Sequence, residues 1–377
     1  MAEHPPAGRP AHGSMKLGVE AALIGDRLVR GDVEVVDGRI AGYGIHSADG
    51  RGIAAPGFVD LQVNGFGGVD FLEADAEGYS RAGDALLETG VTAYLPTFIT
   101  APEQRLLEGL AGVPAGSHGP RVLGVHLEGP FLAPERLGTH PPSERRDPDP
   151  ALLERLLDAG PVRLVTLAPE LPGADALIDI LQLRGIAVSC GHSDATAGEA
   201  NVAFDRGVRS VTHLFNAMRP LHHRDPGLAG AALARDDVII QIILDGVHLA
   251  DETAKLIWRT ARGRLGLVTD AVAGAGLGDG AYSIGGLEIE VRDRVARRPD
   301  GTLAGSTLTM IEAVRKLHEL GAPLADALDS ATAVPARVLG LSALGRLGPG
   351  LPADIVVLND NLEIERVLAD GVARVVR

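Results

Sequence analysis

Eight short apolar runs, each separated from the next by a helix-like stretch, constrain this chain more than any other feature. They are Ile53–Asn64, Val91–Thr97, Arg121–Glu128, Val162–Ala168, Ile186–His192, Arg209–His213, Val238–Asp245 and Arg264–Asp270. Between them lie segments such as Ala151–Leu157, Ala174–Leu183 and Asp251–Ala261, with apolar residues at i, i+3 and i+4. Alternation of this kind implies parallel strands joined by right-handed crossovers. Eight repeats predict a (β/α)8 TIM-like barrel, whose chemistry sits at the carboxyl ends of its strands.

Six polar residues, Asn64, Glu128, His192, His213, His248 and Asp270, stand in turn at the ends of such runs. One would mean little, but six match the catalytic rim of a barrel. His192, His213 and Glu128 make a two-histidine, one-carboxylate set of the kind that holds zinc or a similar divalent ion with a position left open for water. A single histidine is more often a hydrogen-bonded core residue. Glu128 weighs against that here, because a carboxylate at a strand end is costly to bury without a cation. Asp270 is placed to take a proton from an activated water and return it to a leaving amine. As a helix cap it would need a helix after it, and glycine-rich chain follows instead. Gln62 and Asn64 offer only neutral amides on the first strand, so one metal is expected rather than two.

The termini read differently. Leu17–Gly42 holds short alternating segments, with Val33–Val36 leading into an Asp37-Gly38 hairpin turn. Beyond a helical region at Thr307–Leu341, strand patterns return at Asp354–Leu358 and Glu365–Leu368. The expected organisation is a disordered leader or tag at residues 1–15, a composite β-sandwich from residues 16–55 and 345–377, and a barrel over residues 56–344. Two Pro/Gly-rich stretches, Ala133–Pro150 and Ala271–Tyr282, are expected to serve as lids.

Thirty-five basic against 50 acidic residues give a formal charge of −15, which disfavours nucleic acid and membrane surfaces as partners. An anionic substrate would then need a local basic pocket. Cys190 is the only cysteine, so no intrachain disulfide or thiolate cluster can form, and a cytoplasmic location is the default expectation. Its place in an apolar strand favours packing over reactivity.

The segments PGFVDLQVNGFGGVDF, HLEGPF, GHSDA, THLFNAM, DGVH, VTDA and LAGSTLTM, beginning at Pro56, His126, Gly191, Thr212, Asp245, Val268 and Leu303, resemble the N-acetylglucosamine-6-phosphate deacetylases of the amidohydrolase superfamily, in family order and over most of the chain. The resemblance implies hydrolysis of N-acetyl-D-glucosamine 6-phosphate to D-glucosamine 6-phosphate and acetate. It implies Glu128, His192 and His213 as ligands of one divalent ion; zinc is expected from those donors, which also suit iron, cobalt or manganese. It makes Asp270 the general base and acid, and His140, beside Thr139, the group that polarises the acetamide carbonyl. Asn216, Ala217, Asp245, Gly246, Val247, His248, Leu303, Ala304 and Gly305 would line the sugar. Arg224 would reach the phosphate in the neighbouring subunit of a homodimer. The superfamily's first-strand His-x-His is Gln62-Val63-Asn64 here, which suggests amides that hold waters around a single ion. The rival readings are a deacetylase for another N-acetylhexosamine 6-phosphate such as the galactosamine epimer, a deacylase or cyclic-amide hydrolase, and a barrel that has lost catalysis and serves as a binding scaffold.

Overall fold

Burying the apolar runs on both faces requires a sheet covered by helices, and the sequence supplies the caps that start those helices. Asp149 accepts hydrogen bonds from Ala151 and Leu152 to open helix Pro150–Ala159, and Thr196 with Glu199 forms a capping box on Ala197–Asp205. A computed structural model describes residues 13–47, 49–116 and 119–377. It divides into two units, one running to Pro56 and resuming at Arg346–Arg377, the other spanning Gly57–Gly345.

The larger unit is a nearly closed parallel barrel. Its strands are β1 Phe58–Val63, β2 Val91–Ile99, β3 Val125–Glu128, β4 Val162–Leu167, β5 Ala187–Cys190, β6 Ser210–Val211, β7 Ile239–Ile242 and β8 Leu265–Leu267, paired in that order. The run Ile53–Asn64 is therefore two strands, parted at Pro56-Gly57, and only the second belongs to the barrel. At the seam, β1 and β8 form no ladder. Ser330 and Ala331 wedge between them and accept from Leu267 and Val59, while Val63 and Ala271 make a single bridge nearer the mouth.

The barrel interior departs from the branched apolar filling usual for this fold. Asp60, Gln62, His126, Thr166, Ser189, Thr212, Gln241 and Thr269 are all buried. Several pair with one another or with backbone: His126 lies between the Leu61 carbonyl at 3.0 Å and Thr166 Oγ1 at 2.7 Å, and Thr166 contacts Thr212 at 2.8 Å. The region Thr307–Leu341 resolves into helices Met310–Glu319, Leu324–Asp329 and Ala333–Val338.

A three-stranded antiparallel insertion, β9 Gly280–Ile284, β10 Leu287–Arg292 and β11 Val295–Arg297, follows β8. Of the stretch Ala271–Tyr282, expected to serve as a lid, the first five residues belong to the barrel, whereas Gly276–Asp279 are exposed. Ala271–Ala275 are buried, the Ala271 carbonyl accepts from Asn64 and Gly65, and Val272 donates to Ser306. Those five residues are built into the barrel wall, where their backbone groups are consumed.

In the terminal unit, a six-stranded sheet runs in the order Val372–Val376, Ile364–Ala369, Ile355–Leu358, Ile53–Pro56, Ala21–Ile24 and Arg27–Arg30. A three-stranded sheet contains Met15–Lys16, Asp32–Val36 and Arg39–Ile45. Leu17, Val33, Val35, Ile40, Ile355, Val357 and Leu368 form their shared core. Asp37 and Gly38 turn at φ 50° and 76°, the two positive values a two-residue hairpin needs. Met15 pairs with Val35, so the expected leader does not extend to residue 15, and its first twelve residues lie outside those described.

Candidate active site

Parallel register at the strand ends carries Glu128 to the barrel mouth. Beyond β5 and β6, His192 and His213 turn inward from backbone at φ 49° and 30°. Glu128 Oε1 lies 3.1 Å from His192 Nε2 and 2.8 Å from His213 Nε2, and the two imidazole nitrogens are 3.2 Å apart. All three residues are buried. The spacing is close to the roughly 3.3 Å kept by donors about 2.0–2.1 Å from one tetrahedral ion. His192 Nδ1 donates to the Arg136 carbonyl at 2.9 Å, which leaves the Nε2 lone pair facing the cluster. Burial alone would protonate Glu128, yet His140, His192 and His213 hold its carboxyl well below the usual range. The donor set fits a divalent cation.

Glu128, His140 and His192 also bring donor atoms within 4.8 Å of one another, but the tautomer of His140 gives it a different use. The Thr100 backbone N–H, which can only donate, points at His140 Nδ1 at 3.2 Å. The proton therefore sits on Nε2, which is buried, 3.6 Å from Glu128 Oε2 and without a hydrogen-bond partner. Burial pushes the imidazole's pKa down to about 4. At neutral pH His140 offers an uncharged N–H to the cavity.

Asp270 follows β8 at φ 51°. Asn64 Nδ2 donates to its Oδ1 at 2.7 Å, and Gln62 Nε2 donates to Glu128 Oε1 at 3.1 Å. The first-strand amides thus orient the two carboxylates, with Gln62 Oε1 and Asn64 Oδ1 left as unpartnered acceptors. Burial, reinforced by the negative charge of Glu128, raises the Asp270 carboxyl to about 7. Gly305 lies close behind: a Cβ there would come 2.6 Å from the Asp270 carbonyl oxygen, and its φ of 63° favours glycine.

Glu128, His140, His192, His213 and Asp270 line a cavity of about 320 Å³ together with Thr139, Asn216, Ala217, His248, Leu303 and Gly305. His248 lies six residues past β7 rather than at its end. Although burial opposes charge on it, the 2.7 Å contact with Asp245 raises its pKa above the ordinary value. Asp245, Gly246 and Val247 face a separate cavity beside helix Met310–Glu319. Ala304 packs in the core of the insertion. Arg224 is outside the cavity lining, on an exposed loop, 2.8 Å from His223 Nε2. Cys190 is fully buried, and burial pushes its thiol pKa up.

Several lining residues escaped the sequence reading: Ile99, Glu135, Arg136, Ile243, Ile284 and Thr302. Arg136 is fixed by Asp194, 2.7 Å from its Nε, and nothing local signals a partner 58 residues away. Ile284 ends β9. A Cβ on the next residue, Gly285, would meet the Ile99 side chain at 2.6 Å, so a glycine turn seats the tip of the insertion against β2.

Residues 53–374 match the amidohydrolase family. The chain is 39% identical over 341 residues to the human N-acetylglucosamine-6-phosphate deacetylase, covering 85% of this chain and 83% of that protein. It is 36% identical over 327 residues to an N-acetylgalactosamine-6-phosphate deacetylase from Escherichia coli O157:H7, covering 85% and 87%. The structure superposes with a TM-score of 0.91 and 38% identity on an aspartate-to-alanine mutant of the N-acetyl-D-glucosamine-6-phosphate deacetylase from Mycobacterium smegmatis in complex with N-acetyl-D-glucosamine-6-phosphate, over 97% of this chain and all of that one. On sequence and fold together, the chain belongs to the amidohydrolase family and, within it, to the N-acetylglucosamine-6-phosphate deacetylases.

Proposed function

We propose that the protein hydrolyses N-acetyl-D-glucosamine 6-phosphate to D-glucosamine 6-phosphate and acetate. The observation that carries this reading is the convergence, in one cavity, of a cation-binding cluster, a neutral N–H donor and a carboxyl whose pKa lies near 7. That combination is what amide hydrolysis requires. Relatives carrying the deacetylase name cover the same span of chain.

Glu128, His192 and His213 would hold one divalent ion, zinc by the borderline character of its nitrogen and carboxylate donors. When bound, that ion would supply Lewis acidity and a water acidified to near neutrality. Asp270 accepts the proton of the attacking water as the new C–O bond forms. His140 donates its Nε2 hydrogen to the carbonyl oxygen as negative charge builds there. Asp270 then passes its proton to the amine nitrogen, and the C–N bond breaks. A carboxyl with a pKa near neutrality suits both transfers. Thr139, Asn216, Ala217, Leu303 and Gly305 bound the sugar, while Asp245 serves by orienting His248.

For the phosphate, the reading is a homodimer in which Arg224 reaches the neighbouring subunit's substrate. Its support is that Arg224 is exposed outside its own cavity, within a His222-His223-Arg224 cluster on an acidic chain. Arginine's planar fork of donors suits phosphate. A cytoplasmic location is compatible with a lone buried cysteine and with the absence, among the described residues, of any helix long and apolar enough to cross a membrane.

The test is acetate release from phosphorylated and unphosphorylated N-acetylglucosamine and N-acetylgalactosamine, with metal content measured on the same preparation. Preferred turnover of the phosphorylated glucosamine substrate is expected. A preference for the galactosamine epimer would reassign the substrate, and no acetate from any of the four with metal bound would sink the deacetylase reading.

A further inference from the structure

Asp60 lies one inward-facing position below Gln62 on β1, fully buried, and does not touch the cavity. Among the described residues it accepts three hydrogen bonds. The Gln62 and Thr269 backbone N–H groups donate to Oδ1 at 3.2 and 3.3 Å, and the Thr269 hydroxyl donates to Oδ2 at 2.6 Å. Thr269 immediately precedes Asp270, and Gln62 is the residue whose side chain reaches Glu128.

Asp60 also sits where the barrel needs it. Every other neighbouring pair of strands sets its own register through a backbone ladder, but β1 and β8 share only the Val63–Ala271 bridge. Above Asp270 the Ala271 carbonyl ties the two segments by accepting from Asn64 and Gly65; below it, at Thr269, the tie is the Asp60 side chain. From the opposite side, Ser306 Oγ donates to the Thr269 carbonyl at 2.6 Å and Ser306 N–H to the Asp270 carbonyl at 2.8 Å. The left-handed backbone of Asp270 persists only if its surroundings over-determine it. Ser306 holds the peptides on both sides of that residue, and Asp60 anchors the N–H and hydroxyl of Thr269 just before it. A carboxyl is costly to bury, and burial does push Asp60's pKa up to about 7. A neutral threonine or asparagine would be a cheaper filler.

We propose that Asp60 is a positioning residue: by clasping Thr269 across the barrel seam it holds the Asp270 carboxyl at the height where it meets the water and the amine. This rests on the reading of Asp270 as the proton carrier. The test is a double-mutant cycle. Asp60→Asn keeps size but replaces one accepting oxygen with a donor, and should lower kcat about tenfold with KM and metal content unchanged. In the Asp270→Asn background the same substitution should change the residual turnover less than threefold, because the group it positions no longer carries a proton. Thr269→Val, which exchanges the hydroxyl for a methyl group and so loses the bonds to Asp60 and from the Ala271 N–H, should cost at least as much as Asp60→Asn, and Asp60→Asn should add little to it. It keeps the proposal testable if the Asp60 variant does not fold. An Asp60→Asn enzyme within twofold of the unmodified kcat, or a tenfold loss that persists in the Asp270→Asn background, would overturn the proposal. Asp270→Asn with unimpaired turnover would instead remove the proton-carrier reading, whatever Asp60 does.

Discussion

The floor of the cavity and its outer wall are built on different principles. Glu128, His192, His213 and Asp270 stand on barrel strands or shortly after them, buried, with Glu128 and Asp270 each braced by a first-strand amide. The outer wall includes inserted chain, with Ile284 arriving on a hairpin tip, and beyond the cavity Arg224 lies on an exposed loop. The contrast teaches that bond-making groups need strand-end precision, whereas selectivity can be carried by elements a family can lengthen or replace.

If that division holds, changes in the floor abolish activity and changes in the wall redirect it. The largest effect is expected from Glu128→Gln, which removes the only anionic member of the donor cluster. Metal content and turnover should fall together, as elemental analysis and acetate release would show. Full occupancy and turnover in this variant would place the ion elsewhere.

Asp270→Asn comes next. The amide cannot accept or return a proton, so kcat should drop by roughly 10²- to 10⁴-fold while metal and substrate binding persist. A variant within threefold of the original turnover would take Asp270 out of the mechanism and erase the floor's claim to the chemistry.

The floor was also the legible part of the sequence. An apolar run that stops at a single polar residue announces a strand end, and the order of such ends fixed the barrel before any contact was known. The seam was not legible, because Ser330 and Ala331 reach β1 and β8 from the far end of the chain. The insertion was missed for a different reason. Leu287–Arg292 alternates strictly and follows Gly285-Gly286, a pattern suited to a hairpin. The glycines before it drew the reading to a lid instead. Arg136 illustrates a harder limit, since its fixed geometry depends on Asp194, and no local period encodes that pairing.

For the wall, Arg224→Ala should raise KM for the phosphorylated sugar by roughly tenfold to a hundredfold, from a lost charged hydrogen bond of about 1.5–3 kcal/mol. Weak activity on the unphosphorylated sugar should barely change. Equal effects on both would show that Arg224 does not read the phosphate, and a fully active monomer would rule out a shared site. Smaller still is the effect at the insertion. Ile284 and Ile99 form an apolar surface within the cavity, on the side where Thr100 pins His140, which places them to bound the methyl group of the acetamide. Ile284→Val should raise turnover of the N-propionyl substrate relative to the N-acetyl one by about tenfold, since one methylene in an apolar pocket is worth roughly 10- to 200-fold. An unchanged ratio would mean that the insertion closes the cavity without measuring the acyl chain.

The smallest expected effect concerns what the floor costs the fold. Burial raises the Asp60 carboxyl to about 7, whereas in the unfolded chain it returns to the ordinary range near 4. Between those values the folded protein keeps a proton that the unfolded chain has shed, so the unfolded state binds fewer protons and stability falls as pH rises through the window. Below about pH 4 both states are protonated and the residue adds no pH dependence. Above about 7 both are ionised and the full cost of burying the charge is present. Asp60→Asn removes this term. The melting temperature of the variant, measured with metal bound, should therefore gain on that of the unmodified protein from pH 5 to pH 8, by a few degrees at the scale of roughly 2–4 °C per kcal/mol known for somewhat smaller domains. A gap that stays constant across that range would show that Asp60 is ionised throughout. A gap that opens as expected, alongside the kinetic loss, would mark Asp60 as a site where stability is given up to hold the proton carrier in place.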